Sequence, residues 1–445
     1  MSHYNEDELS AYALRPEATD DRRTVEQHVS GCRDCRDALD VIEAFDTALH
    51  DPLPWEVADA MPARREAPPQ LLDQARALAA ADAQARELVM PLIDSAIRFR
   101  EARIDEDPRF FTPAVIRLLC KVANGMHERR PQFGLVLADT ALSIVEKLPE
   151  PLKARSGWYA GTAWKERANA LRYVGRFKDA EEALDRAEGF FNGDDHVEPF
   201  DLATVVYARA AVYCETERFV EAAQLAREAA TVFQLYGDKH RNLSARIVEA
   251  GSFYCVDRYA EALPIFEAIA LDARAAREMF LLAAALHNAA SCYTRLGSFE
   301  KAFAYYAEAL VVVTALDVPT DRARILWAIA ALKVESGQHE EGLAELESAQ
   351  RQLVSLGLMN DAALATLDLI AGLIAIGETG RVPELCRSVA ATFAAEGLSR
   401  SAKKALAYLS ESVGSGNAAP DAIRHVRAYL ARLAIHPQEE FQQLQ

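Results

Sequence analysis

The sequence predicts an all-α protein: a small, highly charged module at the N-terminus, a proline-rich tether, and a long array of helical hairpins. Three observations carry that expectation. From Leu71 to about Leu433 the chain is rich in alanine and its apolar residues recur at helical spacing, whereas few β-branched residues alternate with polar ones as a half-buried strand requires. Within that stretch the segments YVGRFKDA, ETERFVEA, CVDRYAEA, RLGSFEKA and ESGQHEEG share one pattern. Residues 51–70 hold five prolines, which lack the amide donor and bias the residue before them away from helix, so they separate the N-terminal module from the array.

Composition bounds the function classes. The chain has 445 residues, with 49 Lys+Arg against 67 Asp+Glu and a formal net charge of −18. Such a chain repels a phosphate backbone, so no direct nucleic-acid partner is expected. No run approaches the ~18–20 uninterrupted apolar residues of a spanning helix, and the opening MSHYNEDELSAY lacks the apolar stretch of a secretory signal. Seven scattered cysteines do not make a disulfide framework. The expectation is a cytoplasmic protein with reduced thiols and no membrane partner.

Residues 1–50 form the first module. They carry 12 acidic and 5 basic residues, a net of −7. Their chemical motif is His28-x3-Cys32-x2-Cys35, in EQHVSGCRDC. The CxxC turn brings two sulfurs together and the imidazole lies one helical turn before Cys32, so all three can meet on one tetrahedral ion. A closed structural site needs a fourth ligand, for which His3 is a better candidate than His50. So short a segment has little core of its own. Structural zinc contributes roughly 10–16 kcal/mol in small peptides, more than a core of this size supplies. A metal-free fold that keeps the residues, or a redox CxxC pair, are the other readings of the motif.

With His3, the LSAY at 9–12, the TVEQH that closes an acidic stretch and the CRDC, the module resembles the zinc-binding anti-sigma domain of bacteria. The resemblance implies Zn2+ held by His3, His28, Cys32 and Cys35, and docking on a sigma factor of the extracytoplasmic-function type. Leu9, Tyr12, Leu14, Val41, Ile42 and Phe45 would then supply docking or bundle surfaces. Some redox-sensing relatives carry cysteine where this chain has His3. The remaining thiols, Cys32 and Cys35, are one turn apart, and a disulfide between them constrains little beyond its own loop. Constitutive or partner-controlled binding is therefore expected over a thiol switch.

The tether, residues 51–70, leads to the array at 71–413. In the aligned segments Phe177, Phe219, Tyr259, Phe299 and His339 share one column, at spacings of 42, 40, 40 and 40 residues. Nine residues upstream stand Ala168, Ala210, Ala250, Ala290 and Ala330. Three downstream stand Ala180, Ala222, Ala262, Ala302 and Gly342, and ten downstream Ala187, Ala229, Ile269, Ala309 and Ala349. Two antiparallel helices approach closely only where both faces are small, and the aromatic at the turn plugs the gap to the next hairpin. This register resembles the tetratricopeptide repeat, although the family's usual period is 34 residues, so longer helices or loops are expected here. Degenerate copies fit at 113–149 and around Ala371, Gly380 and Ala390, with a further helix at Leu71–Arg103. Residues 414–445 hold an amphipathic segment, DAIRHVRAYLARLA, suited to capping the array.

Elsewhere the chemistry is sparse. Cys120, Cys214, Cys255, Cys292 and Cys386 read as buried structural thiols. His127, His196, His240, His287, His425 and His436 are isolated, and no Walker-type or dinucleotide glycine pattern occurs, so no enzyme is expected. Lys165 and Asn169 occupy positions that hold a peptide carboxylate in some repeat proteins, but Ala208 and Val248 stand where further clamp residues would be. First helices line the groove of such arrays, which makes Lys165, Asn169, Arg209, Arg246, Asn288 and Arg324 candidate lining residues for a peptide or protein. The function expected is a non-enzymatic regulator whose zinc module binds a sigma factor and whose repeats receive the controlling signal. A scaffold that assembles a complex through its repeats, with no transcriptional role, is the alternative.

Overall fold

A computed structural model describes residues 22–32, 35–36, 69–93, 104, 107–127, 130–153, 156–194, 197–395, 405–410, 412, 420–433 and 441–442. The chain divides into two compact units, Met1–Ala79 and Ala80–Gln445. The described residues hold helices, turns and short 3-10 segments, with no strand among them.

In the first unit, helix α1 spans Arg22–Gly31 and buries Val25 and Val29. Helix α2, Pro69–Ile93, crosses the division between the units. The second unit then runs through paired helices. These are α3 (Pro113–Met126) with α4 (Pro131–Lys147), α5 (Gly157–Tyr173) with α6 (Phe177–Asn192), and α7 (Pro199–Glu215) with α8 (Phe219–Leu235). Beyond them lie α9 (Lys239–Cys255) with α10 (Tyr259–Ala275), α11 (Met279–Arg295) with α12 (Phe299–Ala315), α13 (Pro319–Glu335) with α14 (His339–Ser355), and α15 (Met359–Ala375) with α16 (Val382–Ala395). A last helix, α17, covers Pro420–Leu433. The stacking of these hairpins is that of a tetratricopeptide-like solenoid.

The extra length of the repeat lies in the helices. Each helix from α7 to α15 has 17 residues, and three residues separate consecutive ones. The connections share one backbone conformation. A residue with positive φ recurs every twenty positions from Glu217 through Gly237, Asp257, Arg277, Gly297, Asp317, Gly337 and Gly357 to Gly377. At each, two backbone bonds close the preceding helix: at Gly297, for example, its amide donates to the Thr294 carbonyl at 3.0 Å and that of Ser298 to Tyr293 at 2.9 Å. This is the left-handed C-terminal cap that satisfies carbonyls the helix leaves open. The unit of the array is therefore a helix and its cap, used alike inside and between hairpins.

Helix pairing rests on the small-residue columns. Ala168, Ala210, Ala250, Ala290 and Ala330 are fully buried, as are Ala180, Ala222, Ala262 and Ala302. At Gly342 a Cβ would stand 2.8 Å from the Val334 nitrogen and 3.0 Å from the Ala330 carbonyl oxygen, so α13 and α14 meet backbone to side-chain-free backbone. Between the alanines, larger residues such as Leu184, Phe233, Phe266, Leu346 and Leu353 fill the core, each worth roughly 1.5–3 kcal/mol of burial. At the start of the unit Ala85 and Val89 of α2 join Val115, Ile116, Leu137 and Ile144 of the α3–α4 hairpin. At the other end Ile423, Val426, Tyr429 and Leu430 of α17 share a cluster with Leu367 and Ile370 of α15. Among the described residues no helix is long and apolar enough to cross a membrane.

Successive first helices (α3, α5, α7, α9, α11) touch one another, whereas successive second helices approach less closely. The first helices thus form the inner row of the stack, which fixes where a groove-bound partner would meet the chain.

Candidate metal centre and inner-face polar cluster

The metal-ligand motif begins on α1. His28 lies in its last turn, and the Cys32 amide donates to the His28 carbonyl at 2.8 Å, continuing the helical path past Gly31. Arg36 folds its guanidinium back onto the carbonyls of Val29, at 3.2 Å, and Ser30, closing the helix end. The donor atoms of His28, Cys32 and Cys35 all lie within 4.8 Å of one another. Two sulfurs on one tetrahedral zinc with ~2.3 Å bonds stand about 3.8 Å apart, so the three donors lie within about 1 Å of the spacing that one ion requires. Cys35 is buried and His28 and Cys32 are half-buried, as a structural site requires. The donor set of one imidazole and two thiols suits zinc over calcium or magnesium, which take oxygen. His3, His50, Leu9, Tyr12, Leu14, Val41, Ile42 and Phe45 lie outside the described residues.

The inner row carries a polar cluster that has no counterpart in any local motif. Glu166 of α5 is 3% exposed. Its carboxylate accepts from Asn124 Nδ2 at 3.2 Å and pairs with Lys165 Nζ at 3.0 Å. The buried Nε2 of His127, at the end of α3, stands 3.6 Å from the same carboxylate, beyond hydrogen-bond length, and has no hydrogen-bond partner. Burial holds the His127 imidazole below its ordinary value; Glu166 opposes this, and Arg172 and Lys165 reinforce it. Cys120, two turns up α3, is pushed to about 12 by burial and then by Glu166, so its thiol is inert at neutral pH. Lys165 is thus committed to a neighbouring carboxylate, while Asn169 stays half-buried on the same helix.

The arginines expected to line the groove are tied locally. Arg209 of α7 reaches Asp185 and Glu188 on α6, both at 2.8 Å. Arg246 of α9 pairs with Asp272 of α10 at 2.5 Å. Arg324 bonds Asp361 of α15 at 2.8 Å and Asp321 one turn away at 3.4 Å. Asn288 sits half-buried on α11. Further along the row Asp368 of α15 accepts from Trp327 Nε1 at 2.9 Å and pairs with Arg427 of α17 at 2.7 Å. Burial raises the Asp368 carboxyl, and Arg427 and Trp327 pull it back.

Two groups differ from expectation. Cys255 is exposed at the end of α9 and Cys214 is half-buried on α7, whereas Cys120, Cys292 and Cys386 are buried. Of the histidines expected to be isolated, His127 faces Glu166 and His240 pairs with Glu278 at 3.1 Å. Both partners come from helices a full hairpin or more away in sequence, which is why spacing does not reveal them.

Residues 281–353, from α11 into α14, match the tetratricopeptide-repeat family. No curated protein sequence matches the chain, and its N-terminal module matches no anti-sigma family. Among solved structures, that of aspartyl phosphate phosphatase F from Bacillus subtilis is similar with a TM-score of 0.55 and 14% identity, over 82% of this chain and 97% of that one. A signal-transduction ATPase with a tetratricopeptide-repeat sensor from Pyrococcus horikoshii gives a TM-score of 0.50 and 17% identity, over 74% of this chain and 49% of that one. At these identities the likeness is one of fold: a long stack of helical hairpins.

Proposed function

We propose that the chain is a non-enzymatic regulator in which a zinc-ordered N-terminal module binds a sigma factor of the extracytoplasmic-function type and the solenoid receives a controlling peptide or protein. His28, Cys32 and Cys35 hold the zinc, with His3 as fourth ligand. The metal supplies the folding energy that so short a module lacks. The observation that carries this reading is the convergence of one imidazole and two thiols within 4.8 Å. The likeness of the flanking LSAY, TVEQH and CRDC to anti-sigma modules supports the choice of partner. So does charge. A net of −7 within the first 50 residues favours a partner with a basic face, and a site of two neutral imidazoles and two thiolates on Zn2+ leaves that charge undiminished.

The inner row of first helices is the surface for the second partner. Its Arg209, Arg246 and Arg324 are already paired, so recognition there exchanges existing ion pairs and favours a segment that competes for them. The test uses the full chain, purified with zinc and mixed with a purified sigma factor of this type. Co-elution at one to one, with one zinc per chain and loss of both in Cys32→Ser/Cys35→Ser, is the expected result. A chain that holds one zinc and yet never co-elutes with such a sigma factor removes the partner but leaves the metal. A chain that retains no zinc removes both.

A further inference from the structure

The flank of the α5–α6 hairpin carries a cleft that the proposed function does not use. It spans about 470 Å³ counting its open mouth, and Trp164, Arg167, Arg176, Asp179, Glu182 and Arg186 border it. The Trp164 indole is its apolar wall. The Arg167 guanidinium carbon lies 5.3 Å from the ring centroid and that of Arg186 4.6 Å, so the ring holds two cations at the cleft by its electron-rich faces. Arg167 is also bonded to Asp139 at 2.7 Å, and Arg176 to Asp179 at 2.6 Å. Arg186 differs from both: among the described residues its guanidinium meets the indole and no carboxylate within ion-pairing distance.

The repeat supplies its own control. One hairpin on, the Arg167 and Arg176 positions are kept as Arg209 and Arg218, and both bond carboxylates, Arg209 to Asp185 and Glu188, Arg218 to Glu221 and Glu181. Trp164, however, is replaced by Val206 and Arg186 by Glu228. Later hairpins place Ala268, Glu308 and Ser348 in the Arg186 column. Stacking of hairpins therefore needs neither the indole nor the third guanidinium. Their joint presence in one hairpin is a local addition to the scaffold.

We infer that this cleft binds a carboxylate side chain on an acidic segment of a protein partner. The carboxylate enters between Arg186 and Arg167, where planar guanidinium forks match its two oxygens, and its methylene stem lies on Trp164. The cleft has room for one carboxylate side chain, and it is open to solvent. A long phosphate polymer is disfavoured by the chain's net charge of −18, whereas a short acidic segment feels chiefly the charges within a Debye length of about 8 Å. Asp179 and Glu182, which also border the cleft, keep the affinity modest and sensitive to salt.

The probe is acetyl-tetraglutamate amide, with acetyl-tetraglutamine amide as the neutral control, titrated into the full chain and followed by tryptophan fluorescence and calorimetry. Saturable binding of the glutamate peptide alone is expected. Arg186→Glu should weaken it roughly tenfold or more, the worth of one charge-assisted contact. Trp164→Phe should abolish the fluorescence change while calorimetry still detects weakened binding. Arg351→Glu, the same charge change at an exposed site on α14, several hairpins from the cleft, should leave binding within about twofold. Circular dichroism confirms that each variant is folded. Three results overturn the inference: no saturable binding, equal losses in Arg186→Glu and Arg351→Glu, or saturation by inorganic phosphate that the peptide cannot displace.

Discussion

Arg277 and Gly297 sit at equivalent caps twenty residues apart, with φ of 57° and 72°, and they invite a reciprocal exchange. In both, paired backbone bonds close the helix: the Arg277 amide to Arg274 at 3.2 Å and Glu278 to Ala273 at 2.9 Å, matched by Gly297 to Thr294 and Ser298 to Tyr293. An L-residue pays about 1–2 kcal/mol in this left-handed region. Glycine escapes that cost, but its greater freedom in the unfolded chain returns about 0.5–1 kcal/mol. Arg277→Gly should therefore stabilise the array by about 0.5–1 kcal/mol, since the Arg277 side chain is exposed and its loss opens no cavity. Gly297→Ala should cost about 1 kcal/mol by backbone conformation alone, because its Cβ meets nothing within 4 Å. Urea unfolding reads the two midpoints, and native-state exchange of the Glu278 and Ser298 amides reads the caps locally. That second readout matters because a repeat array need not unfold in one step. The reasoning fails if Arg277→Gly lowers the midpoint, or if Gly297→Ala leaves midpoint and exchange unchanged.

Three further outcomes rest on the packing and the buried charges. Gly342→Ala drives a Cβ to 2.8 Å from the Val334 nitrogen and should cost about 1–3 kcal/mol in urea unfolding, whereas Gly380→Ala meets nothing within 4 Å and should be near neutral. His127 and His287 are both held below the ordinary histidine value, chiefly by burial. The unfolded chain therefore binds protons first: stability is complete above about pH 6.5 and falls as pH drops toward the lowered values. His287→Leu should remove part of that acid loss between pH 5 and 7, and an acid slope identical to wild type would contradict it. Arg427→Ala leaves the Asp368 carboxylate with the Trp327 hydrogen bond and the charge of Arg295 but without its ion-pair partner, which should cost about 1–3 kcal/mol and expose α17 to proteolysis. Adding Asp368→Asn should recover part of the loss, and full additivity would show that the two do not act as a pair.

The sequence made the forty-residue period legible because close helix contact admits only small residues, and Ala168, Ala210, Ala250, Ala290 and Ala330 hold one column. The underlying twenty-residue unit was hidden. Its marker is a backbone angle, borne by glycine at Gly297 and Gly337 but by Glu217, Asp257, Arg277 and Asp317 at other caps. Chemistry divided the same way. His28, Cys32 and Cys35 are neighbours along one helix and its continuation, so spacing alone brings their donors together. Glu166 meets Asn124 and His127 across two helices, and Trp164 meets Arg186 across a turn, so each pairing depends on how hairpins stack. The arginines at 209, 246 and 324 illustrate the reverse case: their charge is plain in the sequence, while the carboxylates that occupy them lie on other helices or one turn away.

The proposed delivery of this solenoid to a sigma factor by a zinc-ordered module is read out by affinity capture of the full chain from its native host, with mass spectrometry of the retained proteins. A sigma factor of the extracytoplasmic-function type should be enriched with the wild-type chain and absent with Cys32→Ser/Cys35→Ser. Capture that yields no sigma factor, or yields it equally with the double variant, would contradict the claim.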